Sequence, residues 1–179
     1  METTMHENPR ISVYTGDGKG KTTTALGRGF EAVLSGLKVY MVQFLKRPQT
    51  SGEHFIPESL SALFTIVPMG RGRFIRNREC EPEDRDAGQL ALKQAQVAML
   101  SGDYDMVILD EATVAVYKNV IDLTQLLDFI ATKPDNVELV ITGRHAPPEV
   151  IDMAGTVVEM RKVKHHFDSG HKATKGIDF

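Results

Sequence analysis

Short apolar runs rich in β-branched residues alternate along this chain with stretches whose apolar residues recur every three or four positions. Unbroken or alternating apolarity over a few residues marks strands, and a 3.6-residue recurrence marks helices. Strands are predicted over residues 11–14, 38–43, 64–67, 106–109, 137–142 and 156–160. One of them, 106–109, is apolar throughout, as a strand covered on both faces should be. Helices are predicted over 21–34, stopped by Ser35 and Gly36, and over 82–100, where Ala87, Leu90, Ala91, Ala95 and Ala98 form one stripe that Gly102 closes. Two more are predicted over 121–132, ending before Pro134, and over 147–154, which opens on a proline in a permitted first-turn position. Strands separated by helices need crossover connections, so the prediction is an α/β fold with a mostly parallel sheet and helices on both faces. Residues 46–63 and 69–80 show no period, and long irregular connections in a compact domain are often functional loops. Residues 1–10 are polar and aperiodic and read as a flexible N-terminal arm, leaving 11–179 as one domain.

Composition narrows the class. The 179 residues suit a single domain, and 41% hydrophobic with 25% charged residues is ordinary for a globular chain. A lone cysteine, Cys80, builds no internal disulfide, and a cytoplasmic location is expected. No apolar run approaches the roughly 18 residues of a membrane span, and the first residues lack the apolar core of a signal peptide. A net charge of −3 argues against a dedicated nucleic-acid binder.

The chemistry begins at residues 15–22, TGDGKGKT, directly after a strand and directly before a helix. This is the phosphate-binding pattern GxxxxGK[ST] with Thr15 at the first glycine position. Gly16, Gly18 and Gly20 let the backbone curl so that N–H groups, Asp17 and Lys19 included, line a nest at the positive end of the following helix. Such a nest holds a polyphosphate. Lys21 would neutralise phosphate oxygens, Lys19 adds a second cation, and the Thr22 hydroxyl, followed by Thr23, would ligate Mg²⁺. MVILDE supplies the acidic strand end that such a loop needs, with Asp110 and Glu111 as metal candidates. Strand-end carboxylates also cap neighbouring helices, and in an ATPase Glu111 could polarise water. Arg144, in TGR after a strand, is placed to meet phosphate or ribose; the alternative is an ion pair with a helix carboxylate. Loop, acidic strand end and alternation together define a single-domain P-loop NTPase-like (RecA-like) fold.

TGDGKGKTTTALG, VYMVQFLK, Gly52-Glu53, MVILDE, ELVITGRHAPPEVIDMA and VKHHFDSGHKATKGIDF follow one another in this order. Over about residues 11–179 the chain thereby resembles the phosphate-loop corrinoid adenosyltransferases. The TGR segment and the C-terminal run are more specific than the loop, and Thr15 is what this family shows. The resemblance implies that the cobalt of a reduced corrinoid attacks the 5′ carbon of ATP and expels triphosphate. It implies a nucleotide held in reversed sense along residues 15–23, with Glu53 and Arg144 as further nucleotide contacts. Cobalt(I) is already a strong nucleophile, so no general base is required, and no Ser/His/Asp or Cys/His set is evident. Lys21 is then the residue stabilising the leaving group, and positioning is the remaining work.

The resemblance also implies an apolar wedge that displaces the lower ligand of cobalt(II). The matching segment, MGRGRFIRN, offers only Phe74 and Ile75, and the chain has no Trp. Phe74 is the expected wedge. The arginines at 71, 73, 76 and 78 read as a solvated face balanced by Glu79, Glu81, Glu83, Asp84 and Asp86. In the basic C-terminal run, Lys164 and His165 are expected contacts near nucleotide or corrin, and three histidines without fixed acidic or thiol partners are weak evidence for metal. A homodimer is implied, with a reductant protein such as a flavodoxin as a partner. Two rivals predict other outcomes: a P-loop ATPase or kinase would yield phosphate or ADP, and a corrinoid chaperone or sensor would bind ATP without turnover.

Overall fold

A computed structural model of the chain describes residues 8–56, 58–72, 75 and 80–164, with side chains from Arg10 onward except Glu58. Six strands run β1 Asn8–Thr15, β2 Val39–Gln43, β3 Phe64–Pro68, β4 Met106–Asp110, β5 Glu138–Thr142 and β6 Ala154–Glu159. They form one sheet in the order β3-β2-β4-β5-β1-β6. Every pairing is parallel, which bears out the predicted α/β class. β1 begins three residues before the apolar pattern does, because Asn8 pairs with Ala154 of β6.

The helices are α1 Lys21–Leu34, α2 Glu58–Ser61, α3 Pro82–Leu100, α4 Ala112–Tyr117, α5 Leu123–Ala131 and α6 Pro148–Asp152. Strand alternation sends successive side chains to opposite faces, and the core accordingly divides in two. Val107 and Leu109 of β4 pack with Ala91, Ala95 and Met99 of α3 and with Leu126 and Phe129 of α5. Met106 and Ile108 face the other way, onto Ala25, Ala32 and Val33 of α1. Helices thus cover both faces. The α3 stripe is buried at Ala91, Ala95 and Ala98, whereas Leu90 stays half exposed at its margin.

α3 starts at a capping box in which Glu81 and Asp84 each bond the other's backbone N–H. Arg71 ion-pairs with Glu81 at 2.6 Å and Asp84 at 3.4 Å, so this arginine has the acidic partners expected of it. Among the described residues no helix is long and apolar enough to cross a membrane. Parallel strands aligned in this way bring the carboxyl ends of β1, β2, β4 and β5 to one edge of the sheet, where such folds place their ligands.

Candidate functional site

Residues 15–20 join β1 to α1, and their conformation is set by the end of β6. Met160 N–H donates to Thr15 O at 2.8 Å, and Gly18 N–H donates to Met160 O at 2.7 Å. A Cβ on Gly16 would lie 2.5 Å from the Met160 carbonyl oxygen, and one on Gly18 2.8 Å from it. Gly16 also has φ of +93°, which L side chains rarely adopt. These glycines therefore allow the curl and the close approach of the neighbouring strand together. Thr15 is buried, and its hydroxyl accepts from Ala146 N–H at 3.4 Å. The unusual first residue of the motif thus ties the loop's base to the connection after β5.

Lys21 is only 6% exposed, and its ammonium donates to Gly16 O at 2.8 Å and Gly18 O at 2.7 Å. The cation sits inside the curl. Burial lowers its pKa, Glu111 opposes that, and Arg144 adds to it. Thr22, on the next position of α1, donates its hydroxyl to Asp110 Oδ1 at 2.8 Å. Lys19, Asp17 and Thr23 are exposed around the mouth.

Asp110, fully buried at the end of β4, is the hub. Its Oδ1 also accepts from the Thr142 hydroxyl at 2.7 Å, and its Oδ2 accepts from Gln43 Nε2 at 3.0 Å. Lys46 Nζ lies 3.7 Å from Oδ2 and bonds Glu53 Oε1. Gln43 Nε2 donates to the same Glu53 oxygen at 3.0 Å. His54 Nε2 stands 2.6 Å from Gln43 Oε1, and Thr50 N–H donates to His54 Nδ1 at 3.3 Å. Burial holds the His54 imidazole below the usual histidine range.

Burial alone would raise the Glu53 carboxyl, but hydrogen bonds from Lys46 and Gln43, with the Lys46 charge, outweigh it and leave the pKa low. A carboxyl lower in the folded than in the unfolded chain adds stability that is complete above the ordinary carboxylate range and is lost as pH falls through the folded value. In Glu53→Gln that increment is missing. Thermal denaturation followed between about pH 3 and 6 should show a shallower acid limb for the variant than for the wild type.

Glu111 follows with φ of +61°, its N–H donating to the Thr142 hydroxyl at 3.0 Å. Burial and then the Asp110 charge push its carboxyl up. It lines two cavities at once. One, about 400 Å³, is walled by Gly18 to Thr23, Leu26, Gly52 and Glu53. The other, about 770 Å³, is walled by Leu45, Arg47, Thr50, Gly72, Ile75, Val114, Tyr117, Lys118 and His145. Lys46, Ser51, Glu111 and Arg144 border both. Tyr117 and His145 stack in the larger cavity with ring centroids 4.1 Å apart.

The predicted residues separate by this geometry. Lys19, Gly20, Lys21, Thr22, Thr23, Glu53, Glu111 and Arg144 gather at the smaller cavity, and Ile75 at the larger. Lys164 is exposed and lines neither. Phe74 and His165 lie outside the described residues. Sequence reasoning assigned no role to Gln43, Lys46, His54, Thr142, Tyr117 or His145. The polar residue ending the otherwise apolar β2, Gln43, was the signal available for the buried network.

A glycine-rich loop closing on α1, with a buried acidic strand end bonded to the loop's threonine, defines an α/β P-loop nucleotide-binding protein. The model of the family described as ATP:corrinoid adenosyltransferase BtuR/CobO/CobP matches residues 7–179, and the chain belongs to that family. It is 38% identical over 176 residues to the corrinoid adenosyltransferase CobA of Salmonella typhimurium, covering 98% of this chain and 88% of the relative. The corrinoid adenosyltransferase of Escherichia coli K12 is 37% identical, covering 94% of this chain and 85% of the relative. That of Pseudomonas aeruginosa is 35% identical, covering 94% and 83%. Family membership bears out the predicted transferase activity and its two substrates.

Proposed function

We propose that the smaller cavity takes the triphosphate of ATP and the larger one the corrinoid, with the 5′ carbon of the nucleotide held where the two share a wall. The carrying observation is that common wall of Lys46, Ser51, Glu111 and Arg144. In the transfer a cobalt–carbon bond forms, the C5′–O bond breaks, and the electron pair leaves with the triphosphate. No proton needs to be removed from the nucleophile, so the chain's task is to align the reactants and stabilise charge on the departing oxygens. Lys21 leaves its two carbonyl partners for the phosphates, and the loop N–H groups receive the rest. Arg144, exposed beside both substrates, adds a guanidinium that can meet phosphate or ribose oxygens.

Mg²⁺ fits the donors present. Thr22 Oγ1 and Asp110 Oδ1 are hard oxygen ligands already 2.8 Å apart, with Glu111 beside them. Among the described residues no cluster of three or more His, Cys, Asp or Glu forms a cage. Such a pair suits an ion that keeps most of its shell from water and phosphate. When bound, the ion would neutralise phosphate charge; orienting the Thr22 and Asp110 oxygens remains the work of Thr142 and Gln43.

For the corrinoid, Ile75, buried in the core and facing the larger cavity, and Phe74 beside it in sequence are the proposed apolar contacts, with Lys164 and His165 as outer ones. A homodimer supplied with electrons by a reductant protein such as a flavodoxin is the proposed working assembly.

Anaerobic incubation with ATP, Mg²⁺ and chemically reduced corrinoid, followed by identification of both products, tests the reading. Equal amounts of adenosylcorrinoid and triphosphate are expected. ADP or inorganic phosphate would identify a hydrolase or kinase, and no turnover would identify a carrier.

A further inference from the structure

We infer that His54 is a positioning residue: as the neutral Nε2–H tautomer it locks the Gln43 amide, and through it the Glu53 and Asp110 carboxylates, into the arrangement that receives the nucleotide. This rests on the nucleotide reading of the smaller cavity.

The argument is a hydrogen-bond count. Thr50 N–H donates to Nδ1, so Nδ1 carries a lone pair and the imidazole proton is on Nε2. That Nε2–H donates to Gln43 Oε1 at 2.6 Å. Gln43 is wholly buried, and with its oxygen engaged, its Nε2 is directed at Glu53 Oε1 and Asp110 Oδ2, each 3.0 Å away. A flipped amide would set Gln43 oxygen against two carboxylate oxygens and its NH₂ against the imidazole N–H. No flipped state satisfies those groups, and leaving them unmet in a buried site is unfavourable.

The placement gives the bond its reach. His54 lies in the 3₁₀ turn Gly52–Phe55, whose neighbours Thr50 and Ser51 line the larger cavity while Glu53 lines the smaller. One imidazole therefore pins the segment that walls both substrates to the end of β2.

The two nitrogens can be tested separately. Asparagine at 54 can replace the Nδ1 acceptor without the Nε2 donor, and glutamine can replace the donor without the acceptor. By calorimetric titration of the full chain with ATP and Mg²⁺, His54→Asn is expected to weaken binding about tenfold, with His54→Gln within about threefold of the wild type. The ¹⁵N spectrum of the wild-type imidazole should show Nε2 protonated and Nδ1 bare, a readout independent of activity. A proton on Nδ1, or equal affinities for the two variants, overturns the assignment. A wild-type chain that binds no ATP refutes the nucleotide reading, while the imidazole spectrum still decides the tautomer.

Discussion

Lys21→Ala should reduce adenosyl transfer by at least about 10²–10³-fold, the range found when one preorganised donor to a developing anion is removed. The leaving triphosphate gathers negative charge on oxygens that the phosphate loop surrounds. Lys21 is the one loop cation already inside the curl, bonded to two carbonyls it can exchange for phosphate oxygens. The fold should survive. Alanine suits the first position of α1, and the substitution removes an ammonium whose burial already disfavours its charge. Alkylcobalamin formation, followed spectrally under reducing conditions alongside the melting temperature, checks both halves. Full activity in this variant would refute the placement of the triphosphate.

Asp110→Asn should damage stability as well as transfer. Three donors converge on this carboxylate from Thr22, Thr142 and Gln43, and the Lys46 ammonium lies beside it. An amide offers one acceptor oxygen where the carboxylate offers two. With that oxygen toward the two hydroxyls, the new NH₂ faces the Gln43 NH₂, which cannot turn because its own oxygen is held by His54. A buried donor is left opposite a donor, and Lys46 loses one of two counter-charges. The expected loss is about 2–4 kcal/mol, or about 5–15 °C in melting temperature for a chain of this size. Thr142→Val, which removes the bond to Asp110 and the acceptor for Glu111 N–H but leaves both carboxylate oxygens in place, should cost less, about 1–2 kcal/mol. Thermal denaturation of the two variants side by side tests the ordering. An Asp110→Asn chain melting with the wild type would mean that the convergence of donors is not as described.

Much of this was legible along the chain. α1 and α3 occupy the predicted residues because both have a long helical period bounded by explicit start and stop residues. α4 was not anticipated: at six residues it is too short for a period, and Thr113, Val114 and Val116 are β-branched, so propensity gave no helical signal. The same brevity hid the 3₁₀ turn Gly52–Phe55 and α2 inside the aperiodic stretch 46–63. Lys21, Thr22, Asp110 and Glu111 could be named in advance because their motifs are local, each carried by one strand end or one turn.

The network around Asp110 is different in kind. Gln43 and Asp110 are 67 positions apart and meet because β2 and β4 pair in a register that sets those two residues opposite each other. Thr142 reaches the same carboxylate because β5 lies between β1 and β4. Periodicity can say that these strands exist and that their ends carry polar groups. Which ends become neighbours follows from strand order and register, properties of the packed sheet that no local window contains. The loop and its chemistry therefore belong to the sequence, and the shared wall between the two cavities belongs to the fold.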